Sequence, residues 1–160
     1  MKLPAASTLA ATMLGIGYAP VASGTVASAV AVPFAVMIAQ AAGAAGLLIA
    51  SLLAFGVGVV ACGAHVRATG NADPSECVID ELAGQWLACA GVAFGTLSLP
   101  AFLLAFLLFR LFDIWKPWPV SWADTKLEGG LGVMADDMIA GLMAGVLAGA
   151  AHYTNLFHVF

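Results

Sequence analysis

Long uncharged stretches dominate this chain, and short segments between them carry nearly all of its polar side chains. Five apolar segments can be drawn, at residues 25–40, 44–64, 82–93, 99–109 and 138–156. A helix needs about 20 apolar residues to cross a bilayer, with tolerance for tilt. The second and last segments reach that length, and the other three are shorter. The pattern predicts an all-α, polytopic helical membrane protein with roughly four to five apolar helices in a single domain, residues 1–160.

Composition supports residence in a membrane. Hydrophobic residues make up 62% of the chain and charged residues 9%, and the mean hydropathy is +1.03. A soluble domain carries about a quarter charged residues. The net charge of -4 and the lack of a basic run argue against a nucleic-acid partner. The spacing of the three cysteines matches neither a metal site nor a redox pair, so we expect them to be small buried or interfacial residues, with no disulfide implied.

The charges predict one polar face. The connections at residues 41–43 and 95–98 carry no charge, whereas the other connections and the N-terminal segment carry every basic residue: Lys2, Arg67, Arg110, Lys116 and Lys126. Because basic loops stay on the cytoplasmic side of a membrane, we expect the N-terminus inside. All nine acidic residues then fall on the cytoplasmic side, where we expect the site.

The third predicted helix opens with acidic residues. Asp73 as N-cap, Pro74 at the first position and Glu76 three residues after the cap form a helix start signal, and capping alone accounts for both acids. Asp80 and Glu81 follow a turn later, beside an uncharged run. Adjacent carboxylates at a membrane boundary are costly unless they are paired, solvated or bound to a cation. A functional role is therefore favoured for this second pair.

The fourth predicted helix ends in charged residues. Arg110, Asp113 and Lys116 recur every three residues and so share one helix face, and the prolines that follow stop the helix. The nearby tryptophans are typical of an aromatic belt at the membrane–water interface. An aspartate between two cations offers a metal ligand together with charges that suit a phosphate.

The last predicted helix follows a glycine-rich loop, residues 128–132, and carries Asp136 and Asp137 near its start. Small residues then recur every four positions in this helix, as Gly141, Gly145 and Gly149, and in the third helix after Asp80, as Gly84 and Ala88. Such stripes let two helices pack closely. We expect the two helices to present their carboxylates to one site.

A glycine-rich stretch before the first predicted helix ends in Ser23, Gly24 and Thr25. Its backbone amides and hydroxyls suit an anion, although glycine and serine before a helix are also typical of a simple turn and cap. The three histidines are scattered and indicate neither a histidine nucleophile nor a zinc site: His65, His152 and His158.

Four blocks, in order along the chain, resemble the phosphatidylglycerophosphatase A family. They are Gly15, Gly17, Pro20, Gly24, Thr25 and Ser28; Ile79, Asp80, Glu81, Gly84 and Trp86; Phe109, Arg110, Asp113 and residues 115–119; and Gly129, Gly130, Asp136, Asp137 and Gly141. Their spacing agrees over nearly the whole chain. One departure is Ser23, where family members commonly have proline.

The resemblance implies Mg²⁺-dependent removal of the terminal phosphate from phosphatidylglycerophosphate, a lipid, to give phosphatidylglycerol. It also implies an all-helical fold and a location in the bacterial inner (cytoplasmic) membrane, among membrane lipids. The oligomeric state stays open.

For this chemistry we expect five catalytic carboxylates: Asp80, Glu81, Asp113, Asp136 and Asp137. Among them, Asp80, Glu81 and Asp137 are the expected Mg²⁺ ligands, and Asp113 or Asp136 positions a water. The expected substrate-binding residues are Arg110, Lys116, Ser23, Gly24 and Thr25. One or two ions, and attack by water or by an aspartate, stay open.

A cation- or proton-coupled transporter is the alternative, because transporters also use intramembrane carboxylates. A transporter would show inverted repeats and carboxylates near the middle of the membrane. Here the acidic residues cluster at one boundary, and the only internal echo is short, residues 80–84 against residues 137–141.

Overall fold

The fold was obtained as a computed structural model, which describes residues 5–72 and 74–154, and all regular secondary structure in these ranges is helical. The expected all-α fold is confirmed. Its elements are α1 (Ala6–Ala11), a 3₁₀ turn (Ile16–Tyr18), α2 (Ser23–Thr69), α3 (Ile79–Ala90), α4 (Leu99–Trp115), α5 (Val120–Lys126) and α6 (Gly129–Tyr153). By length and composition, α2 and α6 are candidate membrane spans.

Helix α2 consists of two helical segments that fold back on each other. At Gly43 the backbone has φ 62° and ψ -161°, a conformation almost restricted to glycine. Ser23, the first residue of α2, donates a hydrogen bond to the carbonyl of Ser75 at 2.9 Å. His65, near the other end, lies 3.0 Å from the carboxylate of Glu76. Both ends of α2 therefore meet the same short loop, and the reversal falls within the connection predicted at residues 41–43.

Helix α3 begins at Ile79, so the predicted helix start at Asp73 is wrong. Asp73 itself lies outside the described residues. Glu76 hydrogen-bonds His65 of α2. The backbone N–H of Val78 donates to the carbonyl of Ala11 at 2.9 Å, and this contact with α1 holds the segment out of the helix.

Helices α3 and α6 pack backbone against backbone, as the glycine stripes predicted. A methyl group added at Gly141 would overlap the carbonyl of Gly84. One added at Gly84 would lie 2.6 Å from the carbonyl of Asp137, and one at Gly149 would lie 2.6 Å from the carbonyl of Gly91. Such distances leave no room for a side chain, so this line of contacts, hereafter the glycine seam, fixes the separation of the two helices.

Helix α4 ends at Trp115, and Lys116 follows it in the left-handed conformation, with φ 49°. The expectation that Lys116 shares a helix face with Arg110 and Asp113 is therefore wrong. The chain leaves the helix one residue before Pro117, and the Lys116 side chain turns towards α5 and α6, where its partners lie.

Helix α6 begins at Gly129, so the loop predicted at residues 128–132 is instead the N-cap and first turn of the helix. Close packing explains the difference. A methyl group added at Gly130 would overlap the carbonyl of Val59 in α2. The glycines of this stretch let α6 start directly against α2.

Large apolar side chains cover the outside of the bundle, whereas much of its core is alanine. Leu53, Val60, Leu107 and Val146 are 62–71% exposed. Contiguous exposed apolar surface of this kind is rare on a soluble monomer and fits a lipid environment. Cys62, Cys77 and Cys89 are all buried, and no disulfide joins them among the described residues.

Candidate active site

A cleft of about 1110 Å³ opens at the end of the bundle where the loops of α2, α3, α4, α5 and α6 meet. All ten residues that the sequence singled out line this cleft: Ser23, Gly24, Thr25, Asp80, Glu81, Arg110, Asp113, Lys116, Asp136 and Asp137. Residues separated by more than a hundred positions are thus brought to one place.

Three carboxylates from three helices converge in the cleft. One oxygen each from Glu81 of α3, Asp113 of α4 and Asp137 of α6 lie within 4.8 Å of one another. Glu81 is 8% exposed and Asp137 3%. Oδ2 of Asp137 is buried without a hydrogen-bond partner among the described residues. Three carboxylates at this spacing, one of which has a buried oxygen without a partner among the described residues, fit a divalent cation.

Asp80, an expected ligand, takes a different position from these three. Its Oδ1 accepts the backbone N–H of Glu81 at 2.8 Å, in the first turn of α3. The helix dipole favours negative charge at this end. Among the described residues, the three carboxylates that converge include Asp113. The sequence suggested Asp80 as the third metal ligand instead.

Arg110 and Ser28 fix the orientation of this carboxylate trio. Arg110, whose side chain is 13% exposed, forms ion pairs with Glu81 and with Oδ2 of Asp113, the latter at 2.8 Å. The fully buried Ser28 donates to Oε2 of Glu81 at 2.7 Å. Nε of Arg110 is buried without a partner in the part of the chain that the structure describes. The guanidinium therefore keeps a donor beyond those that hold the trio.

Lys116 lies between two other carboxylates, those of Asp124 in α5 and Asp136 in α6. It forms ion pairs with Asp124 and, at 2.8 Å, with Oδ2 of Asp136. Partial burial acts to lower the pKa of Lys116, but the hydrogen bonds to the two aspartates outweigh it and raise that pKa above its ordinary value. The ammonium therefore stays charged. Oδ1 of Asp136 is buried and has no partner among the described residues.

The start of α2 forms the wall beside Glu81. A methyl group added at Gly24 would overlap the Glu81 carboxylate, so only glycine lets the helix start lie there. The Ser23 hydroxyl is used in its bond to Ser75. The first backbone N–H groups of any helix lack intrahelical partners. Those of Ser23, Gly24 and Thr25, which line the cleft, are the groups that α2 offers an anion.

Negative charge predominates in the cleft. Two cations, Arg110 and Lys116, line it within the described ranges, against seven acidic residues: Asp80, Glu81, Asp113, Asp124, Glu128, Asp136 and Asp137. Like charges this close are unfavourable unless they are neutralised. A phosphate ester, itself an anion, needs further positive charge in order to bind.

The sequence did not single out two residues of this site. Ser28 belongs to a block that carried the resemblance but has no charge to suggest a role. Asp124 is a lone aspartate between the tryptophans and the glycine-rich stretch, and only its contact with Lys116 reveals its position.

The pair of Glu76 and His65 closes the loop beneath the cleft. The hydrogen bond from His65 holds the pKa of Glu76 below its ordinary value. Ser75, next to Glu76, lines the cleft and binds Ser23, so the pair supports the start of α2.

Comparison with known proteins tests the resemblance. The profile of the family described as Phosphatidylglycerophosphatase A matches residues 9–152. Proteins of that description from Escherichia coli (strain K12) and Haemophilus influenzae are 33% and 34% identical to this chain, over 149 and 148 residues. Each match covers 92% of this chain, with 85% of the first protein and 90% of the second. No solved structure matches.

These matches define the class of protein first: the chain is a phosphoric monoester hydrolase. More particularly, it belongs to the phosphatidylglycerophosphatase A family, and the resemblance noted in the sequence is confirmed.

Proposed function

We propose that this protein is a Mg²⁺-dependent lipid phosphatase that hydrolyses phosphatidylglycerophosphate to phosphatidylglycerol and phosphate. The observation that carries the proposal is the convergence of Glu81, Asp113 and Asp137 beside Arg110. The names of the two relatives support the substrate.

The cation site comprises Glu81, Asp113 and Asp137, with Asp80 next to them. The carboxylate oxygens suit Mg²⁺. The buried oxygen of Asp137 that lacks a hydrogen-bond partner among the described residues is suited to be a metal ligand. When bound, the ion supplies positive charge to the phosphate oxygens. The cleft needs this positive charge because its carboxylates outnumber its cationic side chains among the described residues.

Arg110 and Asp113 have the proposed roles closest to the reacting phosphate. The free Nε of Arg110 donates to a phosphate oxygen, and its neighbours keep the guanidinium in place. Asp113, which Arg110 holds through Oδ2, is the proposed acceptor of a proton from water, whereas Asp136 pairs with Lys116. The water oxygen bonds to phosphorus and the bond from phosphorus to the glycerol oxygen breaks. The glycerol oxygen then takes up the proton that the carboxylate accepted from water.

We place the cleft at the cytoplasmic face of a bacterial inner membrane, with both segments of α2 and helix α6 crossing the bilayer and the shorter α3 and α4 packed among them. The basic residues of the loops support this orientation. Trp115, Trp118 and Trp122 are 70%, 79% and 49% exposed near the cleft, as expected of side chains at the membrane–water interface. A lipid then reaches the cleft without leaving the membrane.

The transporter alternative gains no support from the described residues. The carboxylates that line the cleft all lie at one end of the bundle, whereas a transport site would place them near its middle.

Phosphate release from phosphatidylglycerophosphate in detergent micelles tests the proposal, with magnesium or with a chelator. We expect release with magnesium, none with chelator, and none from Glu81→Gln. Glu76→Gln, the same substitution in the loop beneath the cleft, serves as the control and should remain active. Release that persists in chelator would refute the metal requirement, and no release from folded wild-type protein would refute the phosphatase.

A further inference from the structure

The proposed substrate carries two phosphates, a terminal monoester and an internal diester one glycerol away. Among the described residues, the cleft likewise holds two cations, Arg110 and Lys116, with separate partners. Resting on the proposed function, we propose that Lys116 binds the internal diester phosphate and so selects lipids with two phosphates, while Arg110 serves the terminal monoester. Asp124 is the positioning residue that holds Lys116.

Arg110 belongs to the reacting end of the cleft. It contacts Glu81 and Asp113, two of the three carboxylates that converge. Any phosphate that reacts at these carboxylates lies beside this guanidinium. Its side chain is 13% exposed, which leaves it little freedom to serve a group elsewhere.

Lys116 belongs to a different part of the cleft. Neither of its partners, Asp124 and Asp136, is in the trio, and its side chain is 33% exposed. An ammonium group has three N–H donors, of which two are used here, so one is left for a phosphate oxygen. One donor suits a diester, which carries a single negative charge, better than a terminal phosphate, which carries up to two.

The neighbours of Lys116 place it at headgroup depth. Trp115 and Trp118, on either side of it in the sequence, are 70% and 79% exposed, and α5 adds Trp122. Tryptophan side chains concentrate at the membrane–water interface. A lipid that enters from the side presents its diester at this depth and extends its terminal phosphate one glycerol further into the cleft, towards Arg110.

Asp124 holds the lysine at this position. Without that partner the four-carbon side chain of Lys116 retains the single anchor of Asp136, and the ammonium becomes mobile. Asp124 lines the cleft but is an anion like the phosphates, so its effect on substrate binding passes through Lys116.

The two products of the reaction allow binding at the two proposed phosphate sites to be measured separately. Phosphatidylglycerol carries only the diester, and inorganic phosphate corresponds to the terminal phosphate. We measure the inhibition constant of each in mixed micelles. Lys116→Gln should raise the constant of phosphatidylglycerol about tenfold, the value of one hydrogen bond to a charged group, and change that of inorganic phosphate by less than about twofold. Its KM for the substrate should rise more than its kcat falls.

Three further variants complete the test. Lys116→Arg keeps the charge and should restore phosphatidylglycerol inhibition, Asp124→Asn should act as Lys116→Gln does but by a smaller factor, and Arg110→Lys should weaken inhibition by inorganic phosphate. For any variant with too little turnover, calorimetric titration with the two products gives the same comparison.

An equal effect of Lys116→Gln on both products, or an effect on inorganic phosphate alone, would overturn the inference. These outcomes leave the proposed function intact, since they require wild-type turnover. Absence of wild-type turnover is the separate result that refutes the function itself.

Discussion

Helices α3 and α6 meet along two stretches of opposite character. At the cleft end they carry Glu81 and Asp137, carboxylates that repel each other. One turn further along, Gly84 and Gly141 lie in contact through their backbones, with no side chain between them. The first stretch destabilises the helix pair and the second supplies the packing that holds it together.

The glycine seam thus explains how the carboxylates stay close. The backbones of α3 and α6 are in direct contact, so even a small separation of the two helices would lose contacts along several turns. The packing at the glycine seam therefore sets the distance between Glu81 and Asp137. A site that is unstable on its own is often supported in this way by a rigid neighbour. Substitutions in the two stretches should therefore have opposite effects on stability.

The largest effect on activity is expected at the cleft end. Asp137→Asn removes a charge from the carboxylate trio and should lower kcat about a thousandfold, the upper end of the cost of losing one group that stabilises charge. Because it also relieves repulsion, the melting temperature without magnesium should stay the same or rise. Thermal unfolding in detergent, paired with phosphate release, checks both. A variant that loses stability and activity together would show that Asp137 is needed for folding.

The glycine seam should respond in the opposite way. Gly141→Ala places a methyl group on the carbonyl of Gly84 and should cost about 1–3 kcal/mol of stability, with a loss of activity that follows the shifted helices. Gly145→Ala, where the methyl group would lie 3.1 Å from the carbonyl of Ala88, should cost less.

Gly56→Ala in α2 is the matched control for the seam, since its methyl group meets no atom of the described residues within 4 Å. It should leave stability unchanged or raise it by up to about 1 kcal/mol. Equal melting temperatures for Gly141→Ala and Gly56→Ala would contradict the tight seam.

Two serines of α2 allow the carboxylate end and the packed part of the bundle to be compared through single hydrogen bonds, with smaller expected effects. Ser28 and Ser51 are both fully buried, but Ser28 donates to the Glu81 carboxylate whereas Ser51 donates to the carbonyl of Ala83 at 2.8 Å. Ser28→Ala should raise the magnesium concentration for half-maximal activity about tenfold, the low end for residues that orient ligands.

Ser51→Ala should lower the melting temperature without changing the magnesium requirement. Magnesium titrations of phosphate release on the two variants decide the point. If both serines shift the requirement equally, the bond from Ser28 to Glu81 has no special part in holding the ion.

The smallest effect is expected beneath the cleft. The hydrogen bond from His65 lowers the pKa of Glu76, so its contribution to stability is present above the ordinary pKa of glutamate and is lost as the pH falls through the lowered value. Glu76→Gln should lower the melting temperature slightly near neutral pH, and the difference from wild type should shrink below about pH 4. A difference that stays constant across this range would exclude the pair as its source.

The sequence indicated the residues of the cleft better than their contacts. Asp80, Glu81, Asp136 and Asp137 stand out because charge beside apolar runs is costly, and that signal is local. Helix ends depend on distant contacts. The backbone hydrogen bond from Val78 to Ala11 accompanies the later start of α3, at Ile79, and it cannot be read from the sequence.

The same limit applies to partners. The ion pair of Arg110 and Asp113 lies within one helix and follows from spacing, whereas Lys116 binds residues 8 and 20 positions away across a chain reversal. For this reason the sequence assigned no role to Ser28 and did not indicate Asp124. A hydroxyl or a lone acid gains its role only from the residue that the fold places against it.

The reversal at Gly43 has a consequence for how the chain enters a bilayer. As one straight rod, the 47 residues of α2 would extend about 70 Å, more than twice the hydrocarbon thickness. In the topology proposed above, α2 inserts folded in two, as a hairpin whose tip, residues 41–43, has only backbone polar groups to carry across the membrane. Both ends of such a hairpin lie on the side where the chain is synthesised, which is also the side proposed for the cleft.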